Sequence, residues 1–170
     1  LSLLRIKKEV LEMSSQSEIV LTKAPVPLVF GFQWSVGEMM EKFIKTLADK
    51  KILGAKCPQC GYVYVPPRWR CGKCYAKLRE KNLTELSGRG TLLSYTTAYV
   101  ELDGVGNFRE LDKPKAIGAI KLESADSTIF MPLGEVKPGD LKEGMKVEVA
   151  WREKTKGELD DIEYFRPFKG

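Results

Sequence analysis

Apolar residues recur at helical spacing in one stretch of the chain and give way to strand-like runs after it. Beside Trp34, the residues Val36, Met39, Met40, Phe43 and Leu47 mark one face of a helix. Ser35 is placed to cap it and Glu38 to complete a capping box, while Lys50 and Lys51 suit its last turn and Gly54 its stop. The apolar face has two uses open to it: packing against the rest of this chain, or docking onto another subunit because little chain precedes it. From Gly88 and Gly90 onward the pattern favours strands, first through Thr91, Tyr95, Thr96, Thr97, Tyr99 and Val100. Further strands are expected over 116–124, 127–133, 145–153 and 162–168. Between them lie a loop over 103–115 with Gly104, Gly106 and Pro114, a turn at Ser124, Ala125 and Asp126, a loop over 135–144 and a turn over 154–160. Five short strands within about 80 residues, with no long helix among them, predict a mainly β chain closing into a small five-stranded OB-fold barrel rather than an α/β sheet. The chain thus divides into a leader or extended arm over 1–33, a docking helix over 34–54, a cysteine-containing ribbon over 55–80 and an OB-fold domain over 81–170. Residues 1–13 are compatible with a short amphipathic helix or an unordered leader, and Pro25 and Pro27 keep the following stretch extended.

All four cysteines fall in AKCPQCGYVYVPPRWRCGKC. Cys57 and Cys60 form one CxxC pair, Cys71 and Cys74 the other, and a short hairpin between them would fold one pair onto its partner. That spacing points to tetrahedral thiolate coordination, with Zn2+ favoured and one ion per chain. Four protein ligands leave no open position, so such a metal is structural and supplies folding energy to a segment too short for its own core. Gly61 and Gly72 suit the tight knuckles. Two other uses of the same sulfurs stay open: a disulfide or redox-active CxxC, and rubredoxin-like iron.

Charge sharpens the picture of this segment. The chain carries 28 basic and 23 acidic residues, for a formal +5. Residues 35–80 hold ten Lys or Arg against four Asp or Glu, whereas residues 117–170 hold nine against eleven. The positive field therefore belongs to the ribbon half, where it would attract nucleic acid, the phosphorylated end of a coenzyme or an acidic protein surface. Arg68, Trp69 and Arg70 place an aromatic ring between two guanidinium groups, suited to stacking on adenine and pairing with phosphate, to anchoring a protein partner, or to covering the metal module.

Histidine is absent, which removes histidine-based nucleophile systems and histidine metal sites. Asp103, Glu110 and Asp112, with Tyr95 or Tyr99 as an acid, make the one dense acidic group near a barrel mouth, but such composition belongs first to surface loops. Asp160 and Asp161 read as hairpin solvation. No run of 18 apolar residues occurs to span a bilayer, no membrane role is expected, and the opening residues lack the pattern of a secretory signal. Cytoplasm is the expected compartment.

Taken in order, WSVGEMMEKFIKTLADKKILGAKCPQCG, VPPRWRCGKC, GRGTLLSYTT, KPKAIGAIKLE, LKEGMKVEVAW and FRPF resemble domain-of-unknown-function family 35, zinc-ribbon plus OB-fold proteins associated with acyl-CoA enzymes. The resemblance covers residues 34–168; the long basic ribbon and the first 33 residues depart from simpler members. It implies a rubredoxin-like zinc ribbon with Cys57, Cys60, Cys71 and Cys74 as ligands, and Arg68 as a structural or coenzyme-facing position. For an archaeal member it implies a noncatalytic scaffold partnering a thiolase and a 3-hydroxy-3-methylglutaryl-CoA synthase. Such a scaffold would pass acetoacetyl-CoA between them in the mevalonate route to isoprenoids, with coenzyme A as a shared ligand at Arg68, Trp69 and Arg70. Related bacterial proteins accompany thiolases or hydratases of other acyl-CoA substrates. A nucleic-acid-binding ribbon and barrel is the competing class, with Tyr95 and Tyr99 as its stacking pair.

Overall fold

The computed structural model describes residues 35–103 and 106–168; the expected leader over 1–33, Trp34 and Gly104 lie outside the described residues. Helix α1 runs Glu38–Leu47 and uses the predicted stripe, burying Met39, Phe43 and Leu47. Its ends differ from expectation. Gly37, at φ +82°, occupies the cap position, and the Ser35 hydroxyl accepts from the Gly37 N–H (3.2 Å) rather than from the helix, so the capping box does not form. At the other end Lys50, at φ +58°, turns the chain while the Lys51 N–H donates to Thr46 O (3.1 Å). Gly54 is not the stop; it lies in a strand, where a side chain would sit 3.1 Å from the Tyr64 carbonyl oxygen.

Three short strands follow the helix: β1 (Ile52–Lys56), β2 (Val63–Tyr64) and β3 (Leu83–Leu86), paired antiparallel in the order β2–β1–β3. Phe43 and Leu47 pack into one apolar cluster with Ile52, Val63 and Val65 of this module and with Leu92, Ile120, Val147 and Phe165 beyond it. Met39 joins a second cluster with Tyr64, Leu78 and the buried Cys57 and Cys71. The chain's own ribbon and sheet thus cover Met39, Phe43 and Leu47 of the stripe, whereas Met40 is half-buried and Val36 stays 49% exposed.

The second module contains β4 (Arg89–Leu102), β5 (Phe108–Leu122), β6 (Thr128–Leu133), β7 (Lys146–Trp151) and β8 (Ile162–Pro167). β5 begins inside the segment expected to be a loop. Arg109, Glu110, Asp112 and Lys113 are all exposed, so the strand lacks the apolar alternation that a buried face imposes. Pro114 is tolerated there because β5 registers with β6 only from Ala116 onward, leaving that edge free. Ion pairs of Glu101 with Arg109 and Lys115 tie the two strands together.

The expected five-stranded barrel also needs correction. The ring order β4–β5–β6–β8–β7 returns to its start, and four of its joints are antiparallel ladders. At the fifth, β6 and β8 run parallel and share the single registered pair Leu133↔Phe165, supported by the Gly134 N–H donating to Phe165 O (2.9 Å). The result is an OB-like rolled sheet with one seam that is not zipped along its length. Strand count follows from local pattern, but the quality of a joint between strands remote in sequence does not.

The turn between β5 and β6 clamps the two modules together. Asp126 accepts from the Val63 N–H (2.8 Å) and its own N–H donates to Val63 O (2.9 Å). Ser127 accepts from the Val65 N–H (2.7 Å), and the Tyr62 hydroxyl donates to Asp126 O (3.0 Å). A residue pattern typical of a plain turn therefore carries the backbone of β2 across to the sheet.

Asp161 serves a similar purpose in the β7–β8 connection. It is 2% exposed and its carboxylate accepts the N–H groups of Lys156, Gly157 and Glu158 at 2.6 to 3.1 Å. This corrects its assignment to hairpin solvation, which holds for Asp160 alone, an exposed residue 3.5 Å from Arg152. Burial works against the charge on Asp161, yet those N–H groups and the nearby Arg152 hold its carboxyl below the ordinary carboxylate range. With the folded pKa depressed, its stabilisation is complete above the ordinary carboxylate value and disappears as pH falls through the folded value. Asp161→Asn is expected to lower the urea midpoint at neutral pH and to flatten the acid limb of the stability curve. Midpoints measured across the acid range test this; an unchanged acid limb would contradict it.

Candidate metal centre and ribbon surface

Two equivalent knuckles build the cysteine site. In the first, the Gly61 N–H donates to Cys57 O (3.0 Å) and the Cys57 N–H to Tyr62 O (2.8 Å). In the second, the Tyr75 N–H donates to Cys71 O (3.0 Å) and the Cys71 N–H to Ala76 O (2.9 Å). The residue after each second cysteine takes left-handed backbone, Gly61 at φ +74° and Tyr75 at +59°. Gly72 is not a left-handed position, so the second knuckle turns on a tyrosine rather than on the glycine that the motif suggests.

The hairpin brings the four sulfurs within 4.8 Å of one another. Cys57 Sγ lies 3.5 Å from Cys74 Sγ, and Cys60 Sγ lies 3.5 Å from Cys71 Sγ. A Zn–S bond of about 2.3 Å in a tetrahedron implies sulfur separations of about 3.8 Å, so the donor set fits that ion. All four cysteines are free, and their sulfurs stand well beyond the roughly 2.05 Å of a disulfide, which sets the cystine reading aside.

Electrostatics within the cluster ask for a cation. Burial opposes ionisation of Cys71, but the Tyr64 hydroxyl and the N–H groups of Cys74 and Lys73 outweigh it and bring the thiol down to about 5. At Cys74 the Ala76 N–H favours the thiolate; burial and the sulfurs of Cys57, Cys71 and Cys60 override it and push the thiol up to about 12. Cys57, with the Cys60 N–H donating to it, is likewise held below the ordinary thiol range and Cys60 above it, so two thiolates are stabilised while the other two sulfurs resist joining them. A divalent ion held by all four would remove that conflict.

Tyr64 is the functional residue that the motif alone does not disclose. Its hydroxyl accepts from the Gly72 N–H (2.8 Å) and lies 3.3 Å from Cys71 Sγ, positioned to donate to a thiolate there. The signal in the sequence is weak, a tyrosine on the strand leading away from the first knuckle. Arg68 then stacks on the same ring, its guanidinium carbon 4.9 Å from the centroid. The three predicted contact residues are consequently dispersed. Arg68 covers Tyr64, Trp69 is 41% exposed with its indole nitrogen against Gly37, and Arg70 donates to Tyr75 O (3.4 Å).

Around this site Lys56, Arg68, Arg70, Lys73, Lys77 and Arg79 make no ion pair among the described residues. Zn2+ with four thiolates has a net charge of about −2, which offsets only part of that positive surface. In the sheet, Glu110 and Asp112 are exposed on β5, whereas Asp103 sits at the hairpin tip and accepts from Asn107. Tyr95 donates to Leu141 O (3.0 Å) and Tyr99 is 65% exposed.

Comparison with known proteins agrees with this division of parts. Residues 46–78 match the rubredoxin-like zinc ribbon domain of ChsH2, and residues 83–152 match the C-terminal OB-fold domain of ChsH2. A DUF35 domain-containing scaffold protein of Methanocaldococcus jannaschii is 33% identical over 119 residues, covering 69% of this chain and 80% of that protein. Among solved structures, an Ltp2-ChsH2(DUF35) aldolase aligns with a TM-score of 0.57 at 18% identity, over 79% of this chain and 98% of that one. A DUF35-family protein of unknown function from Sulfolobus solfataricus aligns with a TM-score of 0.55 at 24% identity, over 98% of both chains.

Proposed function

The chain belongs to the DUF35 family of scaffold proteins, and on that premise we propose that it is a noncatalytic subunit holding acyl-CoA enzymes together. The partners that suit it are a thiolase and a 3-hydroxy-3-methylglutaryl-CoA synthase, with acetoacetyl-CoA passing between them in the mevalonate route. Relatives described as scaffolds support the accessory role, and a family member that forms part of an aldolase supports association with an enzyme.

The observation that carries the coenzyme part is the ribbon's set of cations that make no ion pair among the described residues. Coenzyme A presents phosphates and an adenine ring on a long arm, so a basic surface holding its head lets the arm reach an active site on a partner. Arg70 and Arg68 supply planar donors suited to phosphate, and the 41% exposed Trp69 offers a separate aromatic surface on the same ribbon.

Arg68→Ala combined with Arg70→Ala is expected to weaken coenzyme A binding at least about a hundredfold, since hydrogen bonds to charged groups contribute roughly 1.5–3 kcal/mol each and every 1.4 kcal/mol is about tenfold, while metal content stays the same. Calorimetric titration with coenzyme A and with its 3′-dephospho form tests this, and equal affinity in wild type and variant would refute it. Gentle co-purification from the native source tests the scaffold itself: a thiolase with a synthase supports it, whereas recovery of RNA alone would favour the nucleic-acid class. The same basic ribbon, with Tyr99 exposed on the sheet, is the observation behind that second class.

A further inference from the structure

Along the seam where β6 meets β8, the strands diverge from their single pair at Leu133 and Phe165. Between them opens a cleft of about 590 Å3, walled by Thr128–Pro132 of β6 and by Ile162 and Glu163 of β8. Phe43, Ile52 and Ile129 give it an apolar floor, and Phe130, 74% exposed, stands at the rim. Two features decide what such a cleft would take. Its long walls are strand edges, which offer backbone N–H and C=O groups to anything extended that lies between them. Its rim is net acidic: Arg152 is committed to Asp160, and Glu163 has no ion-pair partner among the described residues.

We propose that this seam is a strand-addition site for an extended segment of a partner protein, apolar at alternate positions and carrying a Lys or Arg to meet Glu163. A strand inserted there would bond its backbone to β6 along Thr128–Pro132, about 17 Å at 3.3 Å per residue. Alternate side chains would fall onto the apolar floor and the others would face water. A fatty acyl chain would satisfy the floor but leave the strand edges unbonded, and its anionic head would meet the acidic rim. The inference does not depend on the coenzyme reading, because the cleft shares none of the ribbon's cations.

The test begins with selection of short random peptides displayed on phage against the immobilised full chain, followed by titration of the enriched sequences as synthetic peptides. Enriched peptides should alternate apolar with polar residues and include a basic one. Phe130→Asp and Glu163→Lys, both surface changes, should each weaken binding about tenfold with metal content and melting temperature unchanged. Methylation of alternate peptide amides should do the same, and amide exchange should slow in the complex at those of Phe130, Met131, Glu163 and Tyr164 whose N–H groups face the cleft rather than β5 or β7. No enrichment, helical spacing of the apolar residues, indifference to amide methylation, or displacement of the peptide by palmitate from this cleft would each overturn the proposal. Failure of these outcomes leaves the co-purification result standing, so the two ideas fall separately.

Discussion

Cys71→Ser should strip the chain of its metal and cost it the whole ribbon, the largest effect expected of any single substitution here. Cys71 is fully buried and its sulfur lies within reach of the Tyr64 hydroxyl and of the Lys73 and Cys74 N–H groups. A serine oxygen at that corner is a poorer zinc ligand, and structural zinc contributes about 10–16 kcal/mol to the folding of isolated finger peptides. Damage should extend beyond the module, because Val63 and Val65 sit in the same apolar cluster as Phe165 and Ile120 of the sheet. Metal analysis should find about one zinc per wild-type chain and far less in the variant, with a melting transition that is broad or shifted sharply downward. A variant that melts at the wild-type temperature would remove the metal from any part in the fold. Treatment of the wild type with a strong chelator should reproduce the effect.

Phe165→Ala is the second large loss, about 3–5 kcal/mol for an aromatic ring removed from a packed core. That is a fall in melting temperature on the order of 10 °C for a chain of this size. Phe165 is completely buried; it pairs with Val149 on β7 and makes the one registered contact from β8 to β6. The same residue thus fills the interior and pins the weakest joint of the ring. Amide exchange should accelerate at Leu133 and Gly134 more than at the β4–β5 ladder. A loss spread evenly over all strands would show that the seam draws its order from elsewhere.

Local chemistry made much of this protein legible. The α1 stripe is visible because Met39, Phe43 and Leu47 repeat at four-residue spacing, and the cysteine site because each pair closes its own knuckle within a few residues. Features that depend on a remote surface were misread or hidden. Gly37 caps the helix with Trp69 packed against it, an arrangement involving residues far apart in the chain. Residues 108–115 look like a loop because both faces of that part of β5 meet solvent, so no burial imprints an alternation on them. Asp161 resembles any polar turn residue until three N–H groups converge on it. Tyr64 becomes part of the metal site only once β2 lies against the second knuckle.

The sequence by itself determined that four thiolates would converge, that the helix carrying Met39, Phe43 and Leu47 would precede them, and that a set of strands would follow. Each of these rests on interactions spanning a few residues, whose strength composition and spacing fully specify. Only the tertiary structure decided that ribbon and sheet share one core, that Asp126 and Ser127 clamp them, and that β6 and β8 meet at one point and part into a cleft. Those outcomes depend on how surfaces far apart along the chain fit one another, and no local pattern encodes the shape of a remote partner.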